Sequence, residues 1–149
     1  MIRLSRLTDY AIVILAELGR EVGGLQAAAA LADKTKIPEP TVAKVLKILA
    51  RAGVLDSARG VNGGYQVVRP LSDISIGEVI EAMNGPMSLT ACVEDSVEEC
   101  AIAGTCLLRG RWDPVNEAVR NAFSSVKLAD MIKPACGTCT HSHAVRHVG

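Results

Sequence analysis

The sequence predicts a mainly α-helical fold, a winged helix-turn-helix with a small β-hairpin wing and a long C-terminal dimerisation helix. Three observations carry it. Two short helical patterns are split by a tight turn, a glycine-rich hairpin tip follows them, and a late helical run repeats apolar residues in steps of three and four. At 149 residues and 49% hydrophobic content the chain can bury a core. With one Trp, one Phe and two Tyr, that core must rest on Ala, Val, Leu and Ile.

Taken in order, Ser5 or Thr8 can cap a first helix whose residues Tyr10, Val13, Ile14, Ala16 and Leu18 run to a stop at Gly19. Leu25 to Lys34 is Ala-rich and predicts a short second helix, broken by Thr35 to Pro38. Pro40 suits the first turn of a third helix, with Val42, Val45, Leu46 and Leu49 facing inward and Gly53 ending it. Val54 to Ala58 and Gly64 to Val68 read as strands joined through Arg59-Gly60-Val61-Asn62-Gly63, a tip able to adopt positive φ. Ser75 to Asn84 predicts a further helix, with Ser75 and Glu78 as a capping box and Gly85-Pro86 as the stop. Residues 88–110 have no sustained period and read as a loop. From Asp113, as N-cap before Pro114, one helix is expected to run to about Ile132, where Pro134 follows. The corresponding organisation is 1–86 as a winged-helix unit, 87–110 as a ligand-binding loop, 111–133 as a dimerisation helix and 134–149 as a tail expected to be flexible.

The outer face of the third helix carries Thr41, Lys44, Lys47 and Arg51, and Arg59 stands at the hairpin tip. A recognition helix and wing need donors there, with Thr41 and Lys44 placed for base edges and Lys47, Arg51 and Arg59 for phosphates. The charge distribution is compatible with a polyanion on the first half: residues 1–70 hold ten Lys/Arg against six Asp/Glu, residues 71–149 six against ten. A double-stranded palindromic DNA operator is therefore the expected partner. The late helix offers Trp112, Val115, Val119, Ala122 and Val126 as a seam for a second copy of itself, so a homodimer is expected.

Five cysteines in a chain with no signal-peptide pattern and no apolar run of membrane-spanning length point to a cytoplasmic setting and to metal or redox use rather than a disulfide framework. Cys92, Cys100 and Cys106 share one loop at spacings of seven and five intervening residues. Thiolates at such separations can hold an iron–sulfur cluster, whereas structural zinc favours tight pairs. Spacing alone leaves unrelated thiols as an equal reading. Glu94, Asp95, Glu98 and Glu99 add negative charge around them, which opposes the thiolate that a nucleophilic cysteine needs.

The opening Met1 to Leu4, Leu7-Thr8-Asp9-Tyr10-Ala11, Ile37-Pro38, the wing Arg59 to Tyr65 and the three-cysteine loop together resemble the Rrf2 family of regulators, of the IscR, NsrR and SufR kinds, over about residues 1–133. Arg109 to Asp113 and Leu128 to Met131 look most like the subgroup that regulates the SUF cluster-assembly genes. The resemblance implies a winged-helix homodimer carrying a two-iron or four-iron cluster on Cys92, Cys100 and Cys106, with repression by the loaded form. One departure stands out: IscR-type members have a histidine ligand where this chain has Arg109, and a guanidinium is no normal iron ligand. Nitric-oxide-sensing relatives use an aspartate from the partner's first helix, and Asp9 matches that place.

Cys136, Cys139, His141 and His143, with His147, fall outside the resemblance and form an uncertain second metal site. The competing readings are a nitric-oxide or redox-responsive regulator of the same family, a zinc-binding winged-helix protein, and a thiol oxidoreductase using Cys136-x2-Cys139. The last lacks the preceding strand such motifs require, so no enzyme activity is expected.

Overall fold

A computed structural model describes residues 3–132 except 22, 94, 95 and 97; the Cys136 to His147 motif lies outside the described residues. The described elements are α1 (Arg6–Leu18), α2 (Ala28–Thr35), α3 (Glu39–Arg51), β1 (Leu55–Ala58), β2 (Gly64–Val67), α4 (Ile76–Asn84), α5 (Asp113–Ser125) and α6 (Leu128–Ile132). This is the expected mainly helical winged fold.

α1 is the central helix. The Ser5 hydroxyl caps it, accepting from the Thr8 amide at 3.1 Å, and its Ala11, Ile14, Leu15 and Leu18 are buried. α2, α3, α4 and α6 all pack against it. The α2–α3 turn is tight because Lys36 takes a left-handed conformation (φ 60°) and Pro38 then starts α3. That non-glycine αL residue costs roughly 1–2 kcal/mol. Burial of Ile37 beside it, and of Val42, Val45, Leu46 and Leu49 along α3, offsets the cost.

α2 starts three residues later than the Ala-rich pattern suggests. Leu25 to Ala27 stay outside the helix because Gln26 exchanges backbone hydrogen bonds with Tyr65, N–H to C=O at 3.0 and 2.9 Å, adding a bridge to the edge of β2. Gly64 permits this approach, since a Cβ there would stand 2.7 Å from the Gln26 carbonyl oxygen. β1 and β2 pair antiparallel with Leu55 opposite Val67 and Ala58 opposite Gly64, and the tip closes through Gly63 N–H to Gly60 C=O at 3.0 Å with Gly60 at φ 111°.

Ser75 caps α4 through the Glu78 amide at 3.1 Å. The capping box is half-made, because the Glu78 carboxylate pairs with Arg69 instead of reaching back.

The single helix expected from Asp113 to Ile132 is interrupted. Val126 is extended (φ −92°, ψ 126°), Ile76 N–H donates to Val126 C=O and Leu128 N–H donates to Ile74 C=O, each at 2.9 Å. After the weak helix formers Ser124 and Ser125 the helix yields at Val126 to this backbone bridge, which delivers Leu128 fully buried into the main core. Asp130 accepts from the Lys127 amide at 3.2 Å at the start of the new helix. Asp113, expected as N-cap, is instead the first residue of α5, with Trp112 in the cap position.

Leu128→Ala should lower unfolding free energy by about 2–5 kcal/mol in urea or guanidinium denaturation, as a buried leucine truncation does. Met131→Ala, at 57% exposure in the same helix, should change it by less than about 0.5 kcal/mol.

Candidate functional site

The outer face of α3 is the first part of the site. Val42, Val45, Leu46 and Leu49 turn one stripe of the helix into the core, which leaves Lys44, Lys47 and Arg51 exposed on the other and Thr41 half-buried at its first turn. Arg59 is exposed where β1 enters the hairpin tip. Charge pairing sets these cations apart from five others. Arg20, Lys34, Lys36, Arg69 and Arg120 each stand beside a carboxylate. Among the described residues Lys44, Lys47, Arg51 and Arg59 have no such partner. A polyanion meeting this surface would displace no internal ion pair.

The second part is the loop from Gly85 to Trp112. Gly85 leaves α4 at φ 84° with its amide on Glu81 C=O at 2.8 Å. Immediately afterwards Asn116 of α5, 5% exposed, clamps the stretch of chain entering the loop. Its Nδ2 donates to Met87 C=O and its Oδ1 accepts from Leu89 N–H, both at 3.0 Å. Arg120 adds a bond from Nη2 to the same Met87 carbonyl at 3.4 Å. Sequence reasoning missed Asn116. The one signal available was an amide lying between the apolar positions Val115 and Val119, off the seam.

Beyond the clamp the described backbone is a chain of turns, with Val93 N–H on Thr90 C=O, Ala103 on Cys100, Thr105 on Ile102 and Arg109 on Cys106. Cys92, Cys100 and Cys106 are free thiols of intermediate burial, and the Cys92 sulfur lies 3.3 Å from the Thr90 hydroxyl oxygen. The donor chemistry fits iron or zinc. The loop as it stands does not gather the donors, for no set of three His, Cys, Asp or Glu among the described residues is placed to hold a metal ion. Asp9 is exposed on the first turn of α1, in a shallow hollow shared with Arg3, Leu4, Ser5 and Arg6, and is not part of such a set within its own chain. Glu98 and Glu99 are exposed; Glu94 and Asp95 lie outside the described residues. Arg109 is exposed too.

The third part is the outer face of α5, which packs on α4 alone among the major helix contacts. Trp112, Val115 and Val126 are 38%, 46% and 38% exposed; Ala122 is exposed and Val119 half-buried. Because the helix ends at Ser125, Val126 extends the seam from a β-conformation rather than from a helical turn. No described helix is long and apolar enough to cross a membrane.

The fold is similar to that of solved regulators. It resembles CymR (YrzC), the global cysteine regulator of B. subtilis, with a TM-score of 0.66 and 27% identity over 89% of this chain and 97% of that one. It also resembles IscR of T. potens, with a TM-score of 0.63 and 23% identity over 89% and 87% of the two chains. Protein aau3 of Rhizobium meliloti (strain 1021) is 25% identical over 131 residues, 88% of this chain and 85% of its own length. CymR is a regulator, and the family that the chain matches is one of transcriptional regulators. Residues 4–134 match the model of the Rrf2 family, described as an iron-dependent transcriptional regulator, and the chain belongs to that family of winged-helix transcriptional regulators.

Proposed function

We propose that the protein is a homodimeric, cluster-dependent repressor of iron–sulfur cluster assembly genes, binding a palindromic operator. The observation that carries the DNA part is the row of exposed, carboxylate-free cations Lys44, Lys47 and Arg51 on α3 with Arg59 on the wing, in a chain where Arg20, Lys34, Lys36, Arg69 and Arg120 are paired. Residues 1–86 form the reading unit. α3 enters the major groove, Thr41 and Lys44 meet base edges, and Lys47, Arg51 and Arg59 meet phosphates. The α5 seam of Trp112, Val115, Val119, Ala122 and Val126 joins two subunits, which sets half-sites about one helical turn apart.

Cys92, Cys100 and Cys106 would hold an iron–sulfur cluster in the 87–110 loop, with Asp9 of the partner subunit as fourth ligand in place of the histidine that Arg109 replaces. When bound, the cluster supplies an oxidant- and nitric-oxide-sensitive link between two chains. The protein's own contribution is positional. The turn-built loop must close to gather the thiols, and Asn116 ties its entry to α5. A ligand set that spans the loop and the partner's α1 favours one relative arrangement of the two reading units over others, which is the only way ligand state can alter DNA affinity. The Cys136, Cys139, His141 and His143 group has no part in this scheme.

Lys44→Ala should relax discrimination at one base pair of the operator by about 1–3 kcal/mol. Lys47→Ala should instead weaken specific and random duplex equally; quantitative footprinting on both duplexes separates the two, and unchanged binding in both variants would remove α3 from the interface. Replacing Cys92, Cys100 and Cys106 by Ser should abolish iron, acid-labile sulfide and visible absorption in anaerobically purified protein, together with any affinity difference between loaded and stripped forms. Colourless wild-type protein holding stoichiometric zinc would end the cluster reading. For Asp9→Ala the expected outcome is a loaded protein with altered cluster absorption and faster loss of iron in air; a spectrum and lifetime matching wild type would remove Asp9 from the ligand set.

A further inference from the structure

Arg3 and Arg6, like Arg109 and Arg111 beside the thiol loop, lie outside the recognition helix and wing yet share their condition, and Arg3 and Arg6 alone lie at the start of α1. Arg3 precedes the Ser5 cap and Arg6 is the first residue of α1; both are exposed, and neither pairs with a carboxylate among the described residues. Position makes this notable. The N-terminal end of a helix carries partial positive charge, so an arginine at α1's first position gains nothing from the helix and is mildly disfavoured by it. The local acids do not compensate. Asp9 shares a hollow with Arg3 and Arg6 without forming an ion pair, and Glu39, exposed at the first turn of α3, pairs with neither arginine.

Arg6 lines a second cleft as well, with Leu7, Tyr10, Pro38 and Thr41. That cleft lies where the first turns of α1 and α3 face each other, and Thr41 belongs to the face already assigned to DNA. The surface therefore runs without interruption from Thr41 through Arg6 to Arg3. On the side of the Thr41 cleft its chemistry is that of a phosphodiester site: a guanidinium fork matches two phosphate oxygens and a hydroxyl from Thr41 lines the same cleft, while the Asp9 carboxylate, in the other hollow with Arg3, opposes an anion there and places the phosphate toward Thr41.

We propose that Arg6, supported by Arg3, grips a backbone phosphate of duplex DNA beside the α3 entry point, so that each subunit holds the strand through α1 as well as through α3 and the wing. This rests on the DNA-binding reading above and adds to it an anchor on a helix outside the helix-turn-helix. The anchor is sequence-independent. It sets how deeply α3 can enter the groove and carries no base preference of its own.

The test is a fluorescence-anisotropy titration of the full-length protein against a mixed-sequence duplex of about 30 base pairs, repeated between about 50 and 200 mM salt. Arg6→Ala should make the plot of log affinity against log salt shallower by about 0.9 for each phosphate that is no longer neutralised, and adding Arg3→Ala should make it shallower again. Arg6→Lys should keep most of the wild-type slope. Circular dichroism should stay unchanged in all three, since neither side chain is buried or paired. A double variant with the wild-type slope, alongside a Lys47→Ala control that is shallower, overturns the α1 anchor alone. Wild-type protein with no salt-dependent duplex binding overturns the DNA-binding reading and this inference with it.

Discussion

The backbone bridge between Ile74–Ile76 and Val126–Leu128 is the constraint on which the arrangement depends. Two amide–carbonyl bonds of 2.9 Å end α5, start α6 and set Leu128 against α1 in the same core that α3 and the wing's Leu55 share. Without it the C-terminal segment would continue as one rod held by α4 alone. With it, the exposed apolar face of α5 and the cationic face of α3 belong to one packed body, so in the proposed dimer the spacing of the two α3 helices would be referred to the core rather than to a flexible joint. Gly77 contributes from the other side. A Cβ there would fall 2.8 Å from the Ser124 hydroxyl oxygen, which can rotate away, and 3.2 Å from the Ser124 amide nitrogen, which cannot, so the α4–α5 approach is tight at this glycine.

The thiol loop has the opposite character. Its ends are fixed and its middle is built from isolated turns with half-buried thiols and exposed Ile102, Leu107 and Leu108. A segment with few buried apolar contacts sits at the low-stability end of a structure and can change shape without disturbing the core. That is the property the proposed ligand-gathering role of the loop would need.

Much of this was legible in the sequence because it rests on local chemistry. The Ser5 and Ser75 caps, the Pro40 start of α3, its buried stripe and the glycine hairpin all express themselves within a few residues, and all appear where the pattern puts them. What was not legible depends on partners far along the chain. Gln26 leaves the Ala-rich helix for a bridge to Tyr65, and Val126 leaves the helical pattern for a bridge beside Ser75. Asn116 likewise reads as an ordinary polar residue of an exposed helix until Met87 and Leu89 arrive on it. At the candidate site, residue types and exposure were readable from periodicity, whereas the contrast between paired and unpaired cations required coordinates.

The Asn116 clamp has a topological corollary. The same residue whose side chain receives Leu89 also donates its own amide to Trp112 C=O at 2.9 Å, so the segment leaves and rejoins the molecule at a single turn of α5. It is a noose rather than a tether. Closure entropy grows only slowly with length, and with both ends already fastened the outer closure of this loop is met in advance. Any tightening of the noose pulls on the turn that presents Trp112 and Val115, which makes the mouth of the loop and the exposed apolar edge of α5 one mechanical element.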